Sequence, residues 1–360
     1  MLGKRYAEIA GGASRCRHNA VTRSGLPAVY DRRPVTPRKT PEEKLADLDG
    51  LMAEKDPAAV RARLETALAD RHFSVVAKAA KIAAGALQYD LRAALAAAYR
   101  RLLDKPVKTD PNCIGKKALA RALVELDFAD VDFFVAALAY RQPEPVWGGT
   151  ADTAAELRSI CAMGLVASGY SRALVEVAPL LYDAEAESRL GAVRAIACGN
   201  PREAELLLRA KVVGGDAEPA VVGECFSGLL GVEPDESLAF VARYLETGDD
   251  TLREHAALAL GESRLEAVLP LLQKAWDEVL VSASVRRALI RAAAMLRTEA
   301  AFDWLIALIA ERDFATATDI LEALALYKHN AKLAARLKAA LAARGDRALL
   351  AQYAERWEPR

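Results

Sequence analysis

The stretch DDTLREHAALALG, residues 249–261, followed after a short turn by EAVLPLL, residues 266–272, decides the fold of this chain. Its acidic start, its apolar residues three and four positions apart and its closing glycine predict one helix, and the second stretch predicts another. The second stretch recurs 33 residues later as EAAFDWL, residues 299–305. The chain therefore repeats a helical hairpin.

The same register runs through the second half of the chain in steps of 31, 33, 31, 33 and 33 residues. The equivalent pairs are Leu157-Arg158, Ser188-Arg189, Val221-Val222, Leu252-Arg253, Val285-Arg286 and Thr318-Asp319. Six residues after each pair stands a small side chain, which lets neighbouring helices approach closely: Gly164, Ala195, Gly228, Ala259, Ala292 and Ala325. A period of about 32 residues is typical of stacked helical hairpins.

Helix start signals extend this organisation toward both ends. Thr40-Pro41-Glu42-Glu43 predicts a capped helix start, and further helices are predicted over 41–54, 57–69, 73–87, 91–104, from Asp110-Pro111 to about 126, and over 130–141. We divide residues 40–360 into a capping hairpin (40–69), longer irregular repeats (70–142), regular repeats (152–346) and a closing helix (347–357). That makes about eight hairpins.

The regular repeats also carry start signals for their first helices. Thr153 to Glu156 and Thr251 to Glu254 are both predicted to be capping boxes. Carboxylates stand before or at other first-helix starts, at Asp183, Asp216 and Asp249.

Composition limits the class of protein. A hydrophobic fraction of 53%, carried mostly by Ala and Leu, with only 6% aromatic residues, favours an all-α fold. No apolar run is long enough to span a bilayer, so no membrane segment is expected. The five cysteines are odd in number and far apart, and three of them lie inside predicted helices, which favours buried thiols in a reducing compartment. We expect a cytoplasmic protein.

Charge is spread unevenly along the chain. Residues 1–39 carry nine Lys or Arg against Glu8 and Asp31, a balance of +7, so the rest of this neutral chain carries −7. We expect this segment to be a disordered basic tail, either a solvated extension, an artefact of a wrongly chosen start codon or an arm for an acidic partner. An acidic repeat body is a poor binder of phosphate backbones, so nucleic acid is an unlikely partner.

The 249–272 stretch resembles the HEAT repeats, in particular the short bacterial type first associated with phycobilisome lyases. The match is good over 152–346 and loose over 70–142. The resemblance implies a right-handed α-solenoid with first helices on the convex side and second helices lining the concave side. It also implies that the arginines of the column (Arg158, Arg189, Arg253 and Arg286) pair with acidic residues near neighbouring helix starts, a ladder interrupted at Val222 and Asp319.

The connection QPEPVWGGT, residues 142–150, interrupts the stack between two hairpins. Two prolines, two glycines and Trp147 suit a binding loop on a rigid scaffold. The competing interpretation is that Trp147 folds back to plug the gap left by the longer repeats. Candidate contact residues are Gln142, Glu144 and Trp147 in the loop, Tyr140 before it, and Trp276 and Trp304 on second helices, the last three being equally suited to the core.

Catalytic signals are weak. Cys113 lies near a predicted helix start with Lys116 and Lys117 one turn later, which suits either a reactive thiol or a thiol buried in the first turn. No metal-ligand spacing, phosphate-binding loop or nucleophile motif is present, so no cofactor is expected. We interpret the chain as a monomeric, non-enzymatic scaffold for a protein partner. The alternative is an enzyme on a HEAT-like solenoid, similar to bilin lyases or alkylpurine DNA glycosylases.

Overall fold

The computed structural model describes residues 39–54, 56–278 and 281–357, with side chains at all of these except 52 and 53. Thr40–Arg360 forms one compact unit. The expectation of a disordered tail falls, apart from Lys39, outside the described residues. In the described part no helix is long and apolar enough to cross a membrane.

The described chain is almost wholly helical, as predicted for an all-α protein. The helices before residue 142 are α1 (Pro41–Asp49), α2 (Pro57–Leu68), α3 (Phe73–Gly85), α4 (Arg92–Leu102), α5 (Pro106–Thr109), α6 (Ile114–Glu125) and α7 (Val131–Leu138). A two-stranded hairpin follows, with strands β1 (Pro143–Val146) and β2 (Gly149–Asp152).

The helices after the hairpin keep the period read from the sequence. They are α8 (Ala155–Ala167), α9 (Ala173–Val177), α10 (Ala186–Ala197), α11 (Pro201–Gly214), α12 (Pro219–Val232), α13 (Pro234–Ala242), α14 (Tyr244–Thr247), α15 (Asp250–Ser263), α16 (Val268–Trp276), α17 (Ala283–Leu296), α18 (Glu299–Glu311), α19 (Phe314–Leu324), α20 (Ala331–Arg344) and α21 (Arg347–Trp357). Short 3-10 turns occupy Gly50–Ala53, Tyr89–Leu91, Pro111–Cys113, Ala178–Tyr182 and Ala325–Tyr327. The closing helix has the predicted bounds.

One row of helices packs in chain order. Each of α3, α6, α8, α10, α12, α15, α17 and α19 contacts the next, and these are the first helices of the repeats. Glycine makes some of these contacts possible, because a Cβ added at Gly261 would lie 2.5 Å from the Ala292 backbone. The core between the helices is built from leucine, alanine and valine, most of them fully buried.

Ion pairs join successive repeats, as the resemblance implied. Arg158 binds Asp183 at 2.9 Å and Arg189 binds Asp216 at 2.8 Å. Arg253 binds Glu278 at 2.6 Å. Arg286 instead lies over the Trp276 ring, 5.6 Å from its centroid. The acidic partner stands shortly before the next first helix in each of the three pairs, so these arginines connect helices and are not free to bind an anion.

The N-terminal capping box is confirmed, because Thr40 Oγ1 accepts from Glu43 N and Glu43 Oε2 accepts from Thr40 N. The other two predicted boxes are wrong. Helix α15 begins two residues earlier than the predicted box implies, with Asp249 as the cap accepting from Leu252 N, so that Thr251 lies inside the helix. Helix α8 begins at Ala155 without a side-chain cap, and the Thr153 hydroxyl bonds to the hairpin instead.

The helix predicted to begin at Asp110-Pro111 begins at Ile114. Asn112 and Cys113 adopt left-handed backbone angles, with φ of 57° and 56°, which a continuous α-helix excludes. The Asp110 carboxylate still caps the helix, since it accepts from the backbone nitrogens of Gly115 at 2.6 Å and Lys116 at 2.9 Å.

Candidate binding site on a β-hairpin

Residues 142–150, predicted to be an irregular loop, belong to an antiparallel β-hairpin. Its register pairs Pro143 with Asp152 and Val146 with Gly149. The two-residue turn consists of Trp147 and Gly148, and Gly148 has a φ of +89°. A glycine with positive φ at the second turn position is typical of a type II turn. The hairpin therefore presents Trp147 at a defined position.

Trp147 is completely exposed, at 104% of its reference accessible area, and the neighbouring Val146 is 48% exposed. The interpretation in which Trp147 plugs a gap between repeats is therefore wrong. Tryptophan is enriched where the binding energy of interfaces concentrates.

Gln142 and Glu144 lie at the opposite end of the hairpin and are buried, at 1% and 7% exposure. The prediction that they contact a partner is wrong for this conformation. Gln142 Nε2 donates to Glu144 Oε1 at 2.7 Å, and Thr153 Oγ1 donates to the same oxygen at 2.8 Å. These two residues hold the base of the hairpin and do not form a surface.

Glu144 also fixes the left-handed turn before α6. Its Oε1 accepts from the backbone nitrogen of Asn112 at 2.7 Å, and Gln142 Nε2 donates to the backbone oxygen of Asp110 at 2.9 Å. Burial by itself raises the pKa of Glu144, but hydrogen bonds from Gln142, Thr153 and the Asn112 amide outweigh it and lower that pKa. The carboxylate is therefore held charged.

A buried ion pair lies beneath this turn. Lys116 and Asp110 are both inaccessible to solvent, and Lys116 Nζ lies 2.8 Å from Asp110 Oδ2. Tyr140, another predicted contact residue, is half-buried beside them and donates from its hydroxyl to Gln142 Oε1 at 2.8 Å. Burial raises the pKa of Tyr140 well above its ordinary value. The hydrogen bond from Tyr140 thus helps to hold the Gln142 side chain in place.

A second buried cluster ties the hairpin to the repeats that follow. Arg158 is fully buried and donates to Asp152 Oδ2 at 2.6 Å and to Asp183 Oδ1 at 2.9 Å. Arg141, at the start of the hairpin, donates to the other oxygen of Asp183 at 2.6 Å. Charged pairs without solvent around them resist separation, because removing either partner leaves a buried charge. The hairpin base is therefore anchored on both sides.

The other two predicted contact residues lie in a different part of the chain. Trp276 and Trp304 pack edge to face on α16 and α18, with ring centroids 5.9 Å apart. Trp276 is buried and Trp304 is half-buried. Trp276 is therefore a core residue, and the structure does not bring this pair together with the hairpin residues of the predicted site.

A patch of exposed apolar side chains on two second helices is not among the sequence predictions. Leu206 and Val213 on α11 are 70% and 71% exposed, and Tyr182 and Val175 are exposed on the preceding helical segment. Lys211 Nζ lies 4.8 Å from the Tyr182 ring, which places the two segments side by side. The seven-residue spacing of Leu206 and Val213, on the side away from buried Ala204 and Leu208, was the available signal.

One member of this patch is adjacent in sequence to an ion-pair partner of the hairpin. Tyr182 directly precedes Asp183, which receives the ion pair from Arg141. Arg141 therefore connects the start of the hairpin to the residue that follows Tyr182 in the chain.

Cys113 is not a reactive thiol. It is fully buried, and burial raises its pKa to about 12, although Lys116 favours the charged form. Such a thiol is not ionised at neutral pH and is unreactive. Of the two interpretations of Cys113, the one in which the thiol is buried is correct. Cys161 and Cys225 are also buried and Cys198 is exposed, and all four are free thiols.

A cleft of about 560 Å³ lies between α3 and α6 and is lined by alanines with Lys78, Lys81, Arg121 and Glu125. Lys78 is paired with Asp49 at 2.5 Å and Arg121 with Glu156, so two of its three cations are neutralised. Among the described residues no group of three or more His, Cys, Asp or Glu is arranged to hold a metal ion.

No protein-family model and no curated protein matches the chain. Among solved structures it is similar to human deoxyhypusine hydroxylase in complex with glycerol, with 16% sequence identity and a TM-score of 0.24, over 82% of this chain and 93% of that one.

Proposed function

We propose that this chain is a HEAT-like, right-handed α-solenoid that acts as a non-enzymatic scaffold and binds a protein partner through Trp147. The architecture is supported by the period of about 32 residues, by the row of first helices that pack in chain order, and by the arginine pairs between successive repeats. The four free thiols among the described cysteines agree with a cytoplasmic location.

The observation that carries the binding proposal is a fully exposed tryptophan on a turn whose base is buried and ion-paired. Ordering a flexible loop on binding costs free energy, and a side chain that is already positioned avoids most of that cost. Tryptophan offers a large apolar surface and one hydrogen-bond donor. Trp147 is therefore suited to insert into an apolar pocket of a partner.

The second-helix patch provides the adjoining area. An indole by itself is too small for a stable complex, since specific interfaces bury about 800 Å² on each partner. Val175, Tyr182, Leu206 and Val213 extend the contact from the hairpin base along the second helices, the side that we propose to be concave. A partner that spans both surfaces would bury the tip and the patch together.

The test is affinity capture with quantitative mass spectrometry, using the intact chain as bait beside three variants. Trp147→Ala removes the proposed anchor, and the double change Leu206→Ala with Val213→Ala removes the patch. Leu326→Ala is the matched control, because Leu326 is also highly exposed, at 83%, but lies in another repeat. All three change exposed side chains, so none should alter folding.

We expect proteins that the intact chain and the control enrich to be lost from the Trp147→Ala bait and reduced with the patch variant. Losing a central anchor costs 2 kcal/mol or more, which is on the order of thirtyfold in Kd. An unchanged set of captured proteins with Trp147→Ala contradicts the proposed function.

A further inference from the structure

We propose that the partner contacts the hairpin through an extended peptide segment, which adds as a third strand along the outer edge of β2. This inference rests on the proposed function and names the form of the partner at that site. It follows from which edge of the hairpin is closed to another strand and which edge is open.

The register decides where each backbone group points. In a hairpin with a two-residue turn, the pair next to the turn is hydrogen-bonded, and bonded and non-bonded pairs alternate from there. Val146 with Gly149 and Glu144 with Ala151 are therefore the bonded pairs. Thr153 N donates to Gln142 O at 3.0 Å, which continues the same alternation beyond the strands. The pairs Pro143 with Asp152 and Pro145 with Thr150 are non-bonded, and their backbone groups face outward.

The outer edge of β1 is closed. Both of its outward-facing positions are prolines, Pro143 and Pro145, so this edge offers no N–H donor. Proline on an edge strand is one of the ways in which proteins prevent unwanted strand pairing. A further strand cannot form a regular ladder with β1.

The outer edge of β2 is open. The N–H and C=O groups of Thr150 and Asp152 face away from β1, and within the described residues no hydrogen bond uses either amide. Gly149, Thr150 and Ala151 are exposed and small, so the edge is open next to the turn, and Asp152 at the base is half-buried. The one charged side chain of β2, Asp152, is turned toward Arg158 at 2.6 Å. The two edges of the hairpin thus differ in their residue types. Prolines close the edge of β1, and the open edge of β2 is the recognition element.

The edge also defines the chemistry of the segment that fits it. The segment must be extended, and it needs free N–H and C=O groups at two positions two residues apart, so proline is excluded at both. Backbone hydrogen bonds then supply affinity with little dependence on sequence, and one side chain next to the turn lies within reach of Trp147. We infer an apolar or aromatic side chain at that position.

A second copy of this chain is the competing occupant, since two β2 edges can pair antiparallel. Its contact would bury small residues only, because Gly149, Thr150 and Ala151 are what the edge offers, and this is far less than a stable dimer needs. A peptide requires no such area, because strand addition of a short segment is a common form of weak, specific recognition.

The experiment uses peptides selected from a random phage-displayed library on the full chain, then synthesised with a fluorophore and measured by anisotropy. Thr150→Pro removes the outward N–H at a non-bonded position, where the partner residue Pro145 already shows that the hairpin accepts proline. Thr150→Val keeps the N–H and removes only the hydroxyl. Trp147→Ala tests the proposed function itself.

We expect Thr150→Pro to weaken binding about tenfold, through the loss of one hydrogen bond, and Thr150→Val to leave it unchanged. A second measurement does not depend on folding of the variant: N-methylation of the peptide should abolish binding at alternate residues, since only every second amide faces β2.

The outcomes separate the two proposals. Peptides that lose affinity with Trp147→Ala but not with Thr150→Pro, or that show no alternation on N-methylation, overturn strand addition and leave the proposed function standing. Selected peptides whose affinity changes with neither Trp147→Ala nor Thr150→Pro overturn both proposals. Concentration-dependent dimerisation that Thr150→Pro abolishes, measured by analytical ultracentrifugation, overturns the peptide in favour of a second copy.

Discussion

Glu144 Oε1 lies 2.7 Å from the backbone nitrogen of Asn112, 32 residues earlier in the chain. This contact joins the base of the hairpin to the left-handed turn before α6. The same Glu144 oxygen therefore accepts a hydrogen bond from the backbone before α6 and hydrogen bonds from Gln142 and Thr153, which stand at the two ends of the hairpin. The position of Trp147 depends on this junction.

Replacing Glu144 by leucine should release the hairpin. Leucine has a similar size but accepts no hydrogen bond, so donors at Asn112, Gln142 and Thr153 lose their acceptor, and we expect the free energy of unfolding to fall by about 2–3 kcal/mol. Hydrogen exchange at the Gly149 and Ala151 amides should accelerate. Glu144→Gln is the control, since its amide oxygen still accepts, and it should lose less than half as much. Equal losses in both variants contradict this account.

Gly148 in the turn and Gly149 at the start of β2 should respond differently to alanine. At Gly148 the φ of +89° disfavours any Cβ, although no atom lies within 4 Å, and we expect Gly148→Ala to cost about 1 kcal/mol through backbone strain. Gly149 lies in β2, is not among the residues with positive φ and has equally open space, so Gly149→Ala should be neutral. Hydrogen exchange at Ala151 measures the stability of the hairpin in each variant. Similar protection in both would show that the turn conformation does not matter.

Helical glycines provide a test of the close packing between repeats. A Cβ at Gly261 would lie 2.5 Å from the Ala292 backbone, which cannot yield easily, whereas Gly231 in α12 has nothing within 4 Å. We expect Gly261→Ala to destabilise by about 2 kcal/mol through overpacking and Gly231→Ala to stabilise by roughly 0.5–1 kcal/mol through helix propensity. Urea denaturation measures both. The same sign for the two variants argues against close contact between α15 and α17.

Asp216 should make stability depend on pH in acid. Burial by itself raises its pKa, but hydrogen bonds from Arg189 and Lys211 outweigh burial and lower that pKa from 3.8 to about 2. Because the folded pKa is the lower one, this contribution is present above about pH 4 and is lost as the pH falls toward 2.

The matched variant for this prediction is Asp216→Asn. It leaves Arg189 and the buried Lys211 without their counter-charge and should reduce the free energy of unfolding at pH 7 by about 3 kcal/mol. Its denaturation midpoint should then fall less than that of the intact chain between pH 4 and pH 2. Parallel curves for the two proteins would mean that Asp216 is not the titrating group.

Much of the helical organisation followed from local patterns. The closing helix at Arg347–Trp357, the Thr40 cap and the first helices of the regular repeats were all predicted, because helix periodicity and capping involve residues within four positions of one another. The predicted helix start is wrong where two nearby residues can each serve as the cap, as Asp249 and Thr251 can. Only the hydrogen-bond geometry decides between neighbouring cap residues.

The hairpin was not predicted, for a physical reason. Its strands have four residues each, and two prolines in β1 argue against a strand. The prolines are tolerated because both fall at non-bonded positions, which is a property of the register and not of the residues.

The amino-acid sequence by itself determined that residues 152–346 repeat, that the chain is all-α, and that the regular pattern fails at 142–150. Only the tertiary structure decided which residues of that segment are buried and which are exposed. Glu144 and Gln142 are polar yet buried, because Asp110 and Asn112, distant in sequence, supply their hydrogen-bond partners. Trp147 is apolar yet fully exposed, because no described residue packs over the turn that carries it.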